Sequence, residues 1–235
     1  MSGPDRASDA TSAPPPPLLP EYLLRTYRWA YLSRRTLPWL DRDLVVSAIL
    51  WGNAGRLMRA ACAEFAVGSK VLQAACVYGR FSPMLAARIG PQGRLDVADV
   101  SRLQLENARR KLASFAHTHV LHADLAHPLA ERYDGVCAFF LLHEVPTHQR
   151  RLIVDNLLAA VAPGGKAVFV DYHRPARWHP LRPVMHLVFR WLEPYAPSLL
   201  ETPIESLSAR AGEFEWRRIT LFGGLYQHVV AVRCR

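Results

Sequence analysis

Cysteine is scarce and scattered in this chain. Cys62, Cys76, Cys137 and Cys234 form no CxxC pair, so neither a zinc site nor a disulfide framework is encoded, and a reducing compartment is the simplest setting. Long apolar runs are missing too: no stretch of about 18 uncharged apolar residues occurs, which argues against a spanning helix. The opening "MSGPDRASDATSAPPPP" has acids and prolines where a secretion signal needs a basic segment and an apolar core. These absences point to a cytoplasmic protein. Acidic charge is in deficit, with 20 Asp and Glu against 29 Lys and Arg, a net charge of +9 that favours an anionic ligand, an anionic membrane surface or nucleic acid. No nucleic-acid recognition motif accompanies that charge, so nucleic acid is not an expected partner. No internal repeat is evident.

What is present is a texture that changes along the chain. Half of the 235 residues are hydrophobic, enough for one substantial core. Residues 1–20 have almost nothing to bury and read as a disordered tail. Residues 21–67 read as a helical cover in which Tyr22, Leu23, Tyr27, Ala30 and Tyr31 share a face opposite Arg25, Arg28 and Arg35; a second helix runs from Asp41 through "LVVSAILWG". After Gly68 short apolar runs alternate with amphipathic stretches. "KVLQAAC", "GRLDVADV", "HVLHAD", "YDGVCAFFLL" and "KAVFVDY" read as strands; "SPMLAARI", "SRLQLENARRKLASFA", capped by Ser101, and "THQRRLIVDNLLAAV" read as helices. Such alternation predicts an α/β fold, a mostly parallel sheet between helices with ligands at the carboxyl ends of the strands. A helical insertion over about 174–205, with Val184, Leu187, Val188, Trp191 and Leu192 on one side, precedes a closing hairpin around "FGG".

The first strand runs into "QAACVYGRF", where a nucleoside-binding turn needs glycines at alternate positions. Ala75 and Val77 stand in two of those places and only Gly79 remains. Alanine is a small change; Val77 is larger, because a β-branched residue resists unusual backbone angles. Twenty residues after Gly79, Asp99 ends the second strand, placed to accept from ribose hydroxyls. Asp124 ends the third strand, where a short acid can accept from an adenine amino group.

Taken together, these features resemble the class I methyltransferase family, whose members bind S-adenosylmethionine, over roughly residues 68–172 and the C-terminal hairpin. The resemblance implies a seven-stranded Rossmann-like fold over 68–235. It also implies that Ala75, Val77, Tyr78 and Gly79 lie against the methionine part, that Asp99 with Val100 holds ribose, that Asp124 with Leu125 flanks adenine, and that Phe140 completes the cofactor wall. A closer likeness lies in "PEYLLRTYRWAYL", "ILWGN", "ACVYG", "SRLQLENARRKL", "FFLLHE" and "VDYHRP…HPLRP". These segments resemble the family of the rhodoquinone biosynthesis protein RquA. That likeness implies an enzyme that replaces a ubiquinone methoxy group by an amino group, with S-adenosylmethionine as amino donor and manganese assisting. Its implied catalytic residues are Tyr78, His143, Glu144 and Tyr172; its metal ligands stay unassigned. The family pattern has an acidic residue after the glycine of "VYG", whereas this chain has Arg80, which removes a candidate metal or ammonium ligand and offers a guanidinium to the methionine carboxylate.

Each of these residues has a plainer reading. Tyr78 can lie over a sulfonium or simply fill the space of the missing glycines. His143 and Glu144 can transfer protons or be a helix-start pair held by local hydrogen bonds. Asp171, Tyr172 and His173 end the fifth strand as either substrate contacts or a structural cluster, while the spacing of His173, His179 and His186 puts no metal set on one turn. Residues 21–40 and 178–195 carry Trp29, Trp39, Trp178 and Trp191 among arginines, the composition of a membrane-interface helix and equally of a lid. Three functions stay open: an RquA-like enzyme on an isoprenoid quinone, peripheral on the inner face of the plasma membrane; an ordinary methyltransferase of a quinone, lipid or other apolar acceptor; and a non-catalytic membrane-peripheral binding protein with a degraded cofactor turn.

Overall fold

Strands buried on both faces form the centre of the molecule. The computed structural model describes residues 18–27 and 33–235. The expected tail over 1–17, and Arg28, Trp29, Ala30 and Tyr31, lie outside the described residues. Among the described residues the helices α1 (Glu21–Arg25), α2 (Leu37–Leu40), α3 (Asp43–Ile49) and α4 (Ala54–Ala63) come before the sheet. Then β1 (Lys70–Ala74), α5 (Phe81–Ile89), β2 (Arg94–Asp99), α6 (Arg102–Leu112), β3 (Thr118–His122), β4 (Tyr133–Phe139), α7 (Thr147–Ala159) and β5 (Val161–Tyr172) alternate. The chain ends with α8 (Arg182–Trp191), α9 (Ala196–Leu200), β6 (Phe214–Leu221) and β7 (Tyr226–Arg233). Strand order is β3-β2-β1-β4-β5-β7-β6, and β7 runs antiparallel to both of its neighbours. The mostly parallel sheet between helices is what the alternation predicts, and its seven-stranded Rossmann-like form is what the class I resemblance implies. Among the described residues no helix is long and apolar enough to cross a membrane.

The period-two rule sorts each central strand between two cores. Val71, Val97, Cys137 and Val168 pack under α4, α5 and α6, while Leu72, Ala98, Val136 and Ala167 pack on the face of α7. Ser101 caps α6 as expected, its Oγ accepting from Gln104 N at 3.4 Å.

Three predicted strands end early, all at the same edge. β1 stops at Ala74 because Ala75 turns to φ 67°, and β4 stops at Phe139 because Phe140 turns to φ 54°. β3 stops at His122, which leaves Asp124 in the following loop. Only Ala75 of the two glycine substitutes takes a left-handed angle; Val77 does not, so its branched side chain meets no backbone penalty. The predicted face of α8 also differs. Met185 and Phe189 are its buried residues, and Val184, Leu187, Trp191 and Leu192 face outward. That helix is apolar on more than one side, so periodicity could not choose the face that meets protein.

Gly135 lets α4 approach the sheet, because a Cβ there would collide with the ring of Phe65. Gly135→Ala is therefore expected to cost about 1–3 kcal/mol by overpacking. Denaturant unfolding checks this, and an unchanged midpoint would show that Phe65 has room to move.

Candidate active site

The cavity lies at the carboxyl ends of the parallel strands, where their terminal turns meet the segment that precedes the sheet. Its floor is the β1 turn Ala75–Tyr78, the β2 end Asp99–Ser101 and the β3 loop Ala123–Leu125. Phe140, His143, Glu144 and Tyr172 come from the ends of β4 and β5, and Glu193 reaches in from just after α8. Tyr22, Leu23, Tyr27, Leu40, Val46 and Ile49 of the N-terminal helices close the top.

Asp99 ties two of these turns together. Its Oδ2 accepts from Cys76 N at 2.7 Å and its Oδ1 from Ser101 N at 2.7 Å. A carboxylate oxygen can accept more than one bond, so acceptor capacity remains toward the cavity. Asp124 is arranged similarly, with Oδ1 accepting from Ala126 N at 2.9 Å. Gln104 Nε2 donates to Tyr78 Oη at 3.1 Å, which holds that ring at the cavity.

A second brace comes from outside the sheet. Asp41 Oδ1 accepts from Gly79 N and from Lys111 Nζ, both at 2.8 Å, and Lys111 Nζ also donates to Val77 O at 2.8 Å. Gly79 has φ 72°, and a Cβ there would lie 3.1 Å from Asp43 Oδ1 and 3.3 Å from Val46 Cγ2. Its glycine is thus demanded by the close approach of α3.

The polar centre of the cavity is His143, on a short 3₁₀ turn (Leu142–Glu144). Its Nδ1 donates to Asp171 Oδ1 at 2.8 Å; an ionised carboxylate only accepts, which puts the proton on Nδ1. Nε2 faces Glu144 Oε1 at 3.7 Å and Glu193 Oε2 at 3.8 Å. Tyr27 Oη donates to Glu193 Oε2 at 2.7 Å. Among the described residues, ligand atoms of His143, Glu144 and Glu193 come within 4.8 Å of one another, a set able to take a cation. Buried Arg150 of α7 secures the turn, donating to Leu142 O at 2.7 Å, Val145 O at 2.9 Å and Tyr195 O at 2.8 Å.

Residues 71–165 match the family model described as a methyltransferase domain. An uncharacterized methyltransferase of Synechocystis is 29% identical over 166 residues, 70% of this chain and 76% of that protein. Over residues 71–165 the chain is similar to methyltransferase domains, and its fold is the Rossmann-like one of methyltransferases. A demethylmenaquinone methyltransferase of Anoxybacillus flavithermus is 25% identical over 145 residues, 60% of each chain. Among solved structures, the N-methyltransferase NodS of Bradyrhizobium japonicum with bound S-adenosyl-L-homocysteine has a TM-score of 0.53 at 16% identity, covering 83% of this chain and 90% of that one. Human N-acetylserotonin methyltransferase with bound S-adenosylmethionine has a TM-score of 0.60 at 14% identity, covering 92% of this chain and 63% of that one. The structural likenesses establish the fold, and the domain match together with the methyltransferase relatives marks the chain as a methyltransferase-like transferase.

Within this Rossmann-like fold most of the expected residues meet. Ala75, Val77, Tyr78, Asp99, Val100, Asp124, Leu125 and Phe140 line the cavity, as do His143, Glu144 and Tyr172. Gly79 does not, since it faces α3. Arg80 does not either: its side chain is 61% exposed and lies 3.8 Å from Asp43, so it offers nothing to a ligand inside. His173 bonds Gly224 O at 2.9 Å, a structural contact of the closing hairpin. Sequence reasoning missed Asp41, Tyr27 and Glu193. Glu193 had one faint signal, being the first carboxylate after Asp171.

Burial disfavours a charged His143, but Asp171, Glu193 and Glu144 outweigh it and hold its pKa at about 9 instead of 6.5. Burial likewise raises Glu193, against the lowering pull of His143 and of the Tyr27 hydroxyl. The folded pKa of His143 lies above the unfolded one, so this ion pair stabilises the fold fully below about pH 6.5 and less as pH climbs through about 9. In chelator-treated protein the urea midpoint should therefore fall across that window, and His143→Gln should flatten the fall. A wild-type midpoint constant from pH 6.5 to 9 would contradict the raised pKa.

Proposed function

We propose that the protein is an S-adenosylmethionine-using enzyme acting on the ring of an isoprenoid quinone, by an RquA-like reaction in which an amino group replaces a ring methoxy. The "CVYG", "FFLLHE" and "VDYHRP" segments support it, as does similarity to a protein named for demethylmenaquinone. The observation that carries the reading is His143: an imidazole with one nitrogen fixed by Asp171 and the other facing two carboxylates, in a cavity that aromatic and aliphatic side chains such as Tyr22, Tyr27, Phe140 and Tyr172 also line.

In this reading Asp99 takes the ribose hydroxyls with the lone pairs its backbone bonds leave over, Val100 lies beside it, and Asp124 and Leu125 flank the adenine. Ala75, whose left-handed angle reproduces what glycine does elsewhere, lets the turn lie against the methionine part. Tyr78 stays a neutral phenol, because burial raises its pKa, and presents its ring to the sulfonium. Phe140 forms the wall behind them. When bound, S-adenosylmethionine would supply the amino nitrogen: the ring C–N bond would replace the ring–methoxy bond with loss of methanol, and the bond from nitrogen to the methionine α-carbon would break by elimination of a proton from the adjacent carbon, which leaves the aminoquinone. His143, its Nδ1–H held by Asp171, presents Nε2 to the reacting centre, Glu144 accepts a proton from the incoming nitrogen and passes it to the departing oxygen, and Tyr172, packed edge-on to His143 at 4.8 Å, keeps water away.

Manganese fits the donor set found here. Two carboxylates are hard oxygen ligands, and an imidazole whose Nδ1 is bonded to Asp171 has Nε2 left to coordinate. His143, Glu144 and Glu193 would hold the ion, which would polarise a quinone oxygen. Binding it requires His143 to give up its second proton.

A second reading, methyl transfer to a quinone or other apolar acceptor, is favoured by the same His143–Asp171 pair, because a hydroxyl acceptor needs a base beside it.

Asp99→Asn puts an amide donor against one of two backbone N–H groups and removes the charge. It is expected to weaken S-adenosylmethionine by roughly tenfold or more in calorimetric titration. Equal affinity would remove Asp99 from the ribose site. Product mass separates the two reactions when the protein is incubated with ubiquinone, S-adenosylmethionine and manganese. Amino-for-methoxy exchange lowers the quinone mass, and the Glu193→Gln variant should lose that product while still binding S-adenosylmethionine. A product heavier by one methylene would establish the methyl-transfer reading instead, and neither product would overturn the quinone acceptor.

A further inference from the structure

The outer face of α8 is apolar and basic with no acid near it. Trp178 is 77% exposed, Trp191 73%, Leu187 56% and Val184 41%, side chains that a surface facing only water does not group together. Around them Arg174, Arg177, Arg182 and Arg190 are all exposed, and no Asp or Glu occurs between Tyr172 and Glu193. Among the described residues none of these four arginines makes an ion pair. Arg190 lies over the Trp191 ring, 5.6 Å from its centroid, with its charge outward. Uncompensated cations and tryptophans flanking a stripe of aliphatic side chains are what an anionic lipid interface complements: rings and aliphatic carbons enter the headgroup boundary while guanidinium groups reach phosphates.

We infer that α8 and the loop before it dock the protein on an anionic bilayer. The position of this face relative to the cavity supports that occupant over a protein partner. Phe189, on the inner side of α8, packs edge-on against Tyr172 of the cavity wall at 5.2 Å, and Glu193, two residues beyond the exposed Trp191, reaches into the cavity. Trp39, Leu44 and Ile49 on α2 and α3 are exposed as well, and Ile49 also lines the cavity, which puts apolar surface at its mouth. Docked in this way, the cavity opens beside the lipid from which a long-tailed apolar acceptor would enter. The inference stands on the surface alone and does not depend on the acceptor being a quinone.

The test uses the full chain and vesicle flotation, with no turnover required. Vesicles of phosphatidylcholine containing phosphatidylglycerol should carry the protein at low salt, release much of it at high salt, and bind it at least about tenfold better than phosphatidylcholine alone. Leu187→Ser combined with Trp191→Ala should cut flotation by about tenfold, because it removes most of the inserting area. S-adenosylmethionine affinity of that variant should stay at the wild-type value, which shows that it is folded. Absence of flotation on anionic vesicles, or flotation unchanged in the double variant, would overturn the inference. So would concentration-dependent self-association abolished by the same variant without lipid binding, since the face would then belong to a second copy of the chain.

Discussion

A carboxylate buried at the end of a strand has to be surrounded by donors, and Asp171 takes four of them. Leu142 N at 2.8 Å, His143 N at 3.3 Å, His143 Nδ1 at 2.8 Å and Tyr172 N at 2.7 Å all point at its two oxygens. The first two fold the 3₁₀ turn after β4, and the third orients the imidazole that this turn carries. Arg150 then takes the carbonyl of Leu142 and, through Tyr195 O and Ser198 Oγ, fixes the segment that follows Glu193. Glu193 in turn accepts from Tyr27, which joins the N-terminal segment to the same network. In a low-dielectric interior such a chain of bonds is strong when every member is satisfied and costly when one is missing. The polar centre, the post-β5 segment and the lid above them thus depend on one side chain at the end of β5.

The turn after β1 shows the same economy in backbone terms. An alanine in the left-handed region costs about 1–2 kcal/mol. Ala75 is held there by Ala75 N donating to Ala98 O at 2.8 Å, by Gln73 Nε2 donating to Ala75 O at 2.9 Å, and by Asp99 seizing the next amide. Loss of glycine from such a turn is therefore no sign of decay. The bonds around Ala75 enforce the conformation that glycine would have permitted.

The α/β alternation, the order of elements after Gly68 and the two acids at strand ends were legible in the sequence because each follows from a short-range rule: period two, period 3.6, or an acid at a strand terminus. What stayed hidden depends on chain segments meeting across long separations. Asp41 and Gly79 are bonded over 38 positions, and Tyr27 and Glu193 over 166, and nothing local in either pair announces the other. Gly79 was legible as a glycine because its turn needs a positive φ, which it has, but the neighbour it lets approach is α3 and not a ligand. Arg80 was weighed as a ligand-facing residue because it adjoins the turn, but the direction of a side chain at a helix start is set by what packs above it, here Asp43. On α8 the sequence supplied the apolar residues and could not say which faced protein, because Met185 and Phe189 compete with Leu187 and Trp191 for that place and only tertiary packing chooses.

Charge is distributed in two layers with opposite signs. The chain as a whole carries +9, while the polar centre gathers three carboxylates, Asp171, Glu144 and Glu193, around one imidazolium. Fully ionised, that group would be net negative in a buried space; the carboxylates raise the pKa of His143 against its burial, and burial raises that of Glu193, so both groups tend to retain protons. A cation entering the cavity does the same work as those protons and competes with them, whether it is a sulfonium, an ammonium or a metal ion. Cation binding and proton release at His143 and Glu193 are therefore linked by necessity, and the linkage makes the site's affinity for positive charge rise with pH through the range in which these two groups titrate. A basic exterior attracts anionic surfaces without disturbing this balance, since exposed charges are screened over about 10 Å and the centre is sealed beneath Tyr27.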